Sequence, residues 1–291
     1  MKPKFHFISG LPRSGSTLLA AILRQNPKFH AGMSSPVAGM FNNMIGSFSA
    51  GSEFAPLIDT HQRRHLLRGL FDNYYHDLAD KHVIFDTNRA WCAKLSALAQ
   101  LFPDAKIIAC VRNMAWIMDS LERQYQKDPF ENTRLFTNEG ERSTVSARVE
   151  TLAQPTRLVG YAWAALYEGF YSEHAGSLLV IDYELLTRSP AKTISLVYQF
   201  IGEEPYSHDF DHVEYAAPEF DALLGVHELH TVRAKVECKK RKTILPPDVF
   251  RKYSAMSFWE NQAGSLANVI TIKQRSDNNK DEMSAHEEQE A

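Results

Sequence analysis

Residues 5–19 read Phe5-His6-Phe7-Ile8-Ser9-Gly10-Leu11-Pro12-Arg13-Ser14-Gly15-Ser16-Thr17-Leu18-Leu19. An apolar run ends at a glycine, a short polar segment follows, and an apolar periodicity resumes at once. That pattern is a buried strand, a tight loop and the first turn of a helix. Gly10 and Gly15 enclose four residues, the glycine spacing of a Walker A loop. Successive backbone N–H groups and the positive end of the following helix make such a loop a cradle for an anion.

The departure from Walker A is more informative than the match. A nucleotide triphosphatase places lysine after the second glycine, and here that position is Ser16, followed by Thr17. The fixed cation of the loop is Arg13. An arginine fork flanked by hydroxyls suits a metal-free oxyanion better than a magnesium-bound triphosphate.

Gly10 to Leu19 resembles the 5'-phosphosulfate-binding loop of sulfotransferases that use 3'-phosphoadenosine 5'-phosphosulfate (PAPS). The nearest likeness is to the tyrosylprotein type and related bacterial proteins, whose loop carries arginine where cytosolic enzymes carry lysine. The resemblance implies a P-loop-type three-layer α/β fold, a central parallel sheet flanked by helices, with PAPS as donor and 3'-phosphoadenosine 5'-phosphate (PAP) as product. It also implies that Gly10, Pro12, Arg13, Ser14, Gly15, Ser16 and Thr17 bind the donor.

Length and charge bound the remaining possibilities. The 291 residues suffice for one substantial α/β core. With 32 basic and 35 acidic residues, net charge −3, nothing marks a nucleic-acid or membrane-surface binder. Cys92, Cys110 and Cys238 are too scattered for a disulfide framework or a metal knuckle. A strand begins within five residues and no stretch approaches a transmembrane length, so the expectation is a soluble cytoplasmic protein without a membrane anchor.

Strand-like and helix-like segments alternate along the chain, which argues for a parallel sheet covered on both faces. Strands are expected at Lys81–Asp86, Lys106–Val111 and Ser177–Asp182. Helices are expected after the loop, at His61–Leu78, Lys94–Phe102, from Trp116, at Pro155–Tyr171, and from Pro190 to Gly202 with Ser189 as cap. Phe29–Ser52 reads as a loop with a short helix whose Met33, Met40 and Met44 are candidates to line an acceptor pocket. The polar segment 126–154 reads as an irregular lid, 209–226 as loop, and Asp248–Trp259 as a last helix. The domain spans 1–271, and 272–291 is a polar tail expected to be disordered.

Three further groups of residues carry chemistry. Arg112 ends the 107–111 strand, and Ser120 lies eight residues on, two turns into a helix. In the sulfotransferases such a pair binds the 3'-phosphate, which makes the expected ligand a molecule with two separated anions. Asp86 ends another strand, where a parallel sheet faces its ligand crevice. It is read there as a general base, an ion-pair partner for Arg89, or a turn cap. The family's usual histidine or lysine is replaced by Asn88. The glutamate base of the tyrosylprotein branch also has no counterpart in Ala31–Pro36, which points from protein tyrosine toward a small-molecule or glycan acceptor. Finally, Tyr183 is expected near the nucleotide. The stretch 225–236 resembles a donor-contacting region in which His230 is a second candidate base and Arg233 and Lys235 hold the nucleotide. Lys239–Lys242 reads as a solvated basic face or gate.

The expected chemistry is in-line attack by an acceptor hydroxyl (or amine) on sulfur, with Arg13 stabilising the developing charge and Asp86 or His230 taking the proton. No metal is required. The alternatives are a small-molecule or nucleotide kinase on the same scaffold, against which Ser16 argues, and a sulfotransferase-like protein that binds nucleotide without turnover.

Overall fold

The computed structural model describes residues 2–127, 130, 133–224, 230–232, 235–238 and 241–270. Six strands, β1 (Lys4–Gly10), β2 (Phe29–Ala31), β3 (Val83–Thr87), β4 (Ile107–Val111), β5 (Leu178–Asp182) and β6 (Asn268–Ile270), form one sheet. Their order is β2-β3-β1-β4-β5-β6 and every pairing is parallel. The apolar runs dictate this arrangement, because a strand buried on both faces has no polar side to show.

Alternate residues feed two separate cores. Phe5, Phe7, Ile84, Ile107, Ala109, Leu178 and Val180 enter one, and Ile8, Val83, Phe85, Ile108, Cys110, Leu179 and Ile181 the other. The first core is the larger and aromatic, with Phe5, Phe7, Phe41, Phe71, Trp91 and Phe102 in mutual edge contacts. The second is closed by the Ser16–Leu23 and Pro190–Ile201 helices. The sheet therefore sits between two helical layers, as the alternation of segments predicts.

The chain leaves β1 toward β2 and β3 on one side and later crosses to β4 on the other. Strand order reverses beside β1, so its carboxyl end opens on the crevice where such sheets bind ligands.

Several expected elements differ in the structure. The 29–52 segment contains a three-residue strand and a twelve-residue helix, Val37–Phe48. Within 126–154, where an irregular lid is expected, residues 139–153 carry the helices Glu139–Arg142 and Val145–Ala153, and this part is anchored. Its anchor is Arg148, whose Nε and Nη2 donate to the two carboxylate oxygens of buried Glu122 at 2.8 and 2.6 Å. The 209–226 region carries a helix, Pro218–Leu224, and β6 had no signal in its three-residue sequence. Pro190 opens its helix and Gly202 closes it at φ 70°, yet the Ser189 side chain makes no capping hydrogen bond. The last helix stops early, at Ser254. The expected tail 272–291 lies outside the described residues. Among the described residues, no helix is long and apolar enough to cross a membrane.

Candidate active site

The loop after β1 forms one wall of a cleft of about 390 Å³. Gly10 has φ 106°, and a Cβ there would stand 2.2 Å from the Cys110 carbonyl oxygen of β4. Only glycine lets the two strand ends approach closely enough for Leu11 N–H to donate to that oxygen. Gly15, at φ 96°, makes room for the Tyr183 ring, which a Cβ would meet at 2.9 Å. Arg13 is itself held in the left-handed region, at φ 57°. That conformation is costly for a side-chain residue and recurs where a loop is shaped for a ligand.

Gly10, Pro12, Arg13, Gly15, Ser16 and Thr17 line the cleft, as does Tyr183. The Ser16–Leu23 helix begins here with no side chain capping its first turn, so its N–H groups point at the cleft. Ser14 is placed differently from the expectation that it binds the donor. It is fully buried, and its hydroxyl lies 2.5 Å from the Leu11 carbonyl and 2.8 Å from that of Cys110. It braces the loop from behind.

Arg112 enters the same cleft from the end of β4. Its guanidinium lies over the Tyr183 ring, 4.4 Å from the centroid, and Nη1 donates to the Arg13 carbonyl at 3.4 Å. Ser120, on the Met114–Tyr125 helix, accepts from Arg13 Nε at 3.2 Å. Loop and helix thus meet through Arg13 and Ser120, while of the expected Arg112–Ser120 pair Arg112 alone is among the residues that line the cleft. Burial lowers the Arg13 pKa and the Arg112 charge lowers it further. Arg241, paired at 2.7 Å with buried Asp119, adds to the positive potential at both arginines. Cations gathered at a partly buried site favour an anion between them.

His230 lines the cleft opposite the loop. Its Nδ1 lies 2.6 Å from Oδ1 of Asp221, and its backbone N–H donates to Oδ2 at 2.9 Å. Asp221 is almost fully buried, on the Pro218–Leu224 helix. The pairing orients the ring, and Nδ1–H donation leaves the Nε2 lone pair as the basic site of the neutral imidazole. Burial lowers the His230 pKa below the ordinary histidine value; Asp221 opposes this, while Arg13 and Arg89 reinforce it. The wall is fixed by a bridge between Tyr215 and Val232, and the Tyr215 hydroxyl accepts from Met33 N–H at 3.0 Å. Asp221 and the Tyr215 clamp carry no local sequence signal, since both bind residues of other segments.

Asp86 lies behind the cleft. It is fully buried, Oδ2 accepts from Ser35 Oγ (2.6 Å) and Tyr75 Oη (2.7 Å), and Oδ1 accepts from Trp91 Nε1 (2.7 Å). Burial raises its pKa against these three donors. Neither an ion pair to Arg89 nor a turn cap is formed; Asn88 caps the Arg89–Lys94 turn instead. What β3 does send into the cleft is Thr87, Asn88 and Arg89. Of the three methionines, Met33 lines it.

Lys235 stands on the surface, paired with Asp211 at 3.0 Å, and Arg233 lies outside the described residues. Lys239 and Lys240 lie outside them too.

Residues 6–208 match the family model described as "Sulfotransferase family". The nodulation protein NoeE of Sinorhizobium fredii is 27% identical over 232 residues, 73% of this chain and 53% of that protein. The chain thus spans about half the length of the curated relative it matches. Among solved structures, the sulfotransferase domain from the curacin biosynthetic pathway aligns over 88% of this chain and 92% of that one at 16% identity, with a TM-score of 0.49. A sulfotransferase from Alicyclobacillus acidocaldarius aligns over 77% and 92% at 20% identity, with a TM-score of 0.48.

Proposed function

The chain belongs to the sulfotransferase family, and from that premise we propose that it moves the sulfonate group of PAPS to an acceptor hydroxyl. The observation that carries the proposal is the convergence of the β1 loop, Arg13 and Arg112 on one cleft beside Tyr183. Repulsion between neighbouring guanidinium groups is relieved by an anionic ligand, so the residues present fit a nucleotide with a 5'-phosphosulfate and a 3'-phosphate.

The P-loop-type turn at Gly10–Thr17 would hold the phosphosulfate through its N–H groups, and Arg112 with Ser120 the 3'-phosphate. Tyr183 supports the nucleotide side of the cleft. PAPS supplies an activated sulfuryl group whose bond to phosphate breaks as the acceptor oxygen bonds to sulfur. His230 accepts the acceptor's proton at Nε2, with Asp221 as the positioning residue that stabilises the imidazolium. Arg13, held against Ser120, is placed to stabilise charge that grows on the bridging and equatorial oxygens. Asp86 acts by position alone, tying Ser35 and Trp91 to β3 and so fixing the wall that carries Met33 and Ser34. A small molecule or glycan is the acceptor class.

PAP titration by calorimetry with and without magnesium, beside ATP–magnesium, tests the reading. Metal-independent binding of PAP in preference to ATP supports it; the reverse preference favours a kinase and overturns it. Transfer of labelled sulfonate to a panel of alcohols, phenols and sugars then separates an enzyme from a binding protein.

A further inference from the structure

Arg89 is not used by the donor site or by the proton transfer. It lies two residues beyond β3, after Asn88, at the start of a short 3-10 turn, Arg89–Lys94, and it lines the cleft. The turn is clamped from both sides. Ser9 Oγ donates to the Arg89 carbonyl at 3.1 Å, and the Leu158–Phe170 helix packs so closely on the turn that a Cβ at Gly169 would stand 2.6 Å from the Cys92 carbonyl. The guanidinium is therefore presented from rigid backbone. It reaches solvent through the cleft, while surrounding protein lowers its pKa by desolvation.

Among the described residues no carboxylate forms an ion pair with Arg89. The titratable group that acts on it is Tyr161, whose pKa burial raises, so it stays neutral. Arg89 also stands apart from the donor cations. Arg89 enters the cleft from the end of β3 and Arg112 from the end of β4, strands that lie on opposite sides of β1. His230 lines the same cleft as both arginines. The cleft also has an apolar lining, which includes Leu135, Leu158 and Phe220.

We propose that Arg89 recognises an acidic group on the acceptor itself, so that the acceptor is a hydroxylated carboxylate with an apolar body rather than a neutral alcohol. The inference rests on the sulfotransferase reading above. One planar guanidinium that no carboxylate of the described residues neutralises, set across β1 from Arg112, matches a carboxylate monoanion, bound through two parallel hydrogen bonds, better than a phosphate. With the carboxylate at Arg89, the hydroxyl end of the acceptor lies toward His230 and the donor.

The test pairs ω-hydroxydecanoate with its methyl ester on the full chain. Each is titrated into wild type, Arg89→Gln and Arg89→Lys, with and without PAP, and turnover with PAPS is measured in parallel. The acid is expected to bind about tenfold or more tighter than the ester to wild type, the scale of one charge-assisted pair. That ratio is expected to fall toward one in Arg89→Gln and to recover in part in Arg89→Lys. Equal binding of acid and ester to wild type overturns the proposal. So does an acid-to-ester ratio that Arg89→Gln leaves unchanged while kcat falls equally for both, which places Arg89 on the transferring sulfonate. PAP binding by each variant shows that it is folded. Failure of wild type to bind PAP sinks the sulfotransferase reading instead, and the carboxylate preference is then read from the titrations without PAP.

Discussion

The ends of β1 and β3 are neighbours in the sheet, and each closes on residues that invite a catalytic reading, Arg13 in one case and Asp86 in the other. They part company within a few residues. After Gly10 the backbone leaves the sheet, turns through left-handed conformations at Arg13 and Gly15, and enters a helix, so the side chains surround a cleft. Asp86 is still inside its strand, on the same face as Ile84, and is swallowed by the aromatic core between Tyr75 and Trp91. Near the carboxyl end of a parallel strand, the face a polar residue lies on decides whether it meets the core or the cleft. One residue of register separates buried Asp86 from Thr87, which lines the cleft.

The strongest way to break this contrast is to remove Arg13. Arg13→Met is expected to lower kcat/KM by about 10²–10³-fold, the scale of losing one donor aimed at developing charge. Its unfolding midpoint should move less than that of an Asp86 variant, because in the fold both burial and Arg112 disfavour the Arg13 charge. Steady-state transfer from labelled PAPS beside a thermal melt reads both. A loss of stability larger than that of Asp86→Asn would erase the distinction between a site residue and a core residue.

The loop was legible in the sequence because its determinants are local: two glycines at fixed spacing, an arginine, and hydroxyls at the head of a helix. Arg112 and Ser120 were legible for the same reason, being a strand end and a point two turns into the next helix. The parallel sheet followed from the apolar runs. Asp221 and Tyr215 were not legible, since Asp221 acts on His230 nine residues away, and Tyr215 joins Val232 to Met33. The burial of Asp86 was hidden too. Its three donors come from the 34–36 loop, the end of the 60–74 helix and the turn after β3, and no spacing rule connects them.

Of the two base candidates, His230 takes the larger expected loss. His230→Gln should cost about 10²-fold or more in kcat, as removal of a general base does. Because the neutral ring is the active form, activity rises with pH through its pKa. That acid limb should fall below the ordinary histidine midpoint, since burial, Arg13 and Arg89 all favour the neutral ring. Asp221→Asn removes the charge that opposes them, so it should move the limb further down in pH while also lowering kcat. An upward shift would contradict the pairing seen here.

Asp86→Asn probes the other side of the comparison. One amide oxygen can accept from Ser35 and Tyr75, but the amide NH₂ must then face Trp91 Nε1–H, donor against donor. A cost of about 1–3 kcal/mol is expected from the unpaired group, read by denaturant midpoint. The folded pKa of Asp86 is raised, so wild-type stability should decline as pH rises from about 3.8 through that folded pKa, and Asp86→Asn should lack this component. Activity should fall by no more than about tenfold, through the displaced Ser34–Ser35 wall. A loss on the scale of His230→Gln at unchanged stability would return the base role to Asp86.

The smallest effect belongs to Lys235. Its neighbour Val236 is buried and donates its N–H to the Phe210 carbonyl, whereas Lys235 itself is exposed. There it pairs with Asp211, both side chains 66% exposed. Such a pair is screened by solvent and contributes little. Lys235→Ala should therefore leave PAP affinity within about twofold at moderate ionic strength, because a charge this far into solvent is attenuated over a Debye length of about 8 Å. Arg112→Met, by contrast, should weaken PAP binding about tenfold or more, since its guanidinium is held inside the cleft over Tyr183. A Lys235→Ala effect as large as that of Arg112→Met would mean that the 230–238 segment folds inward when nucleotide binds.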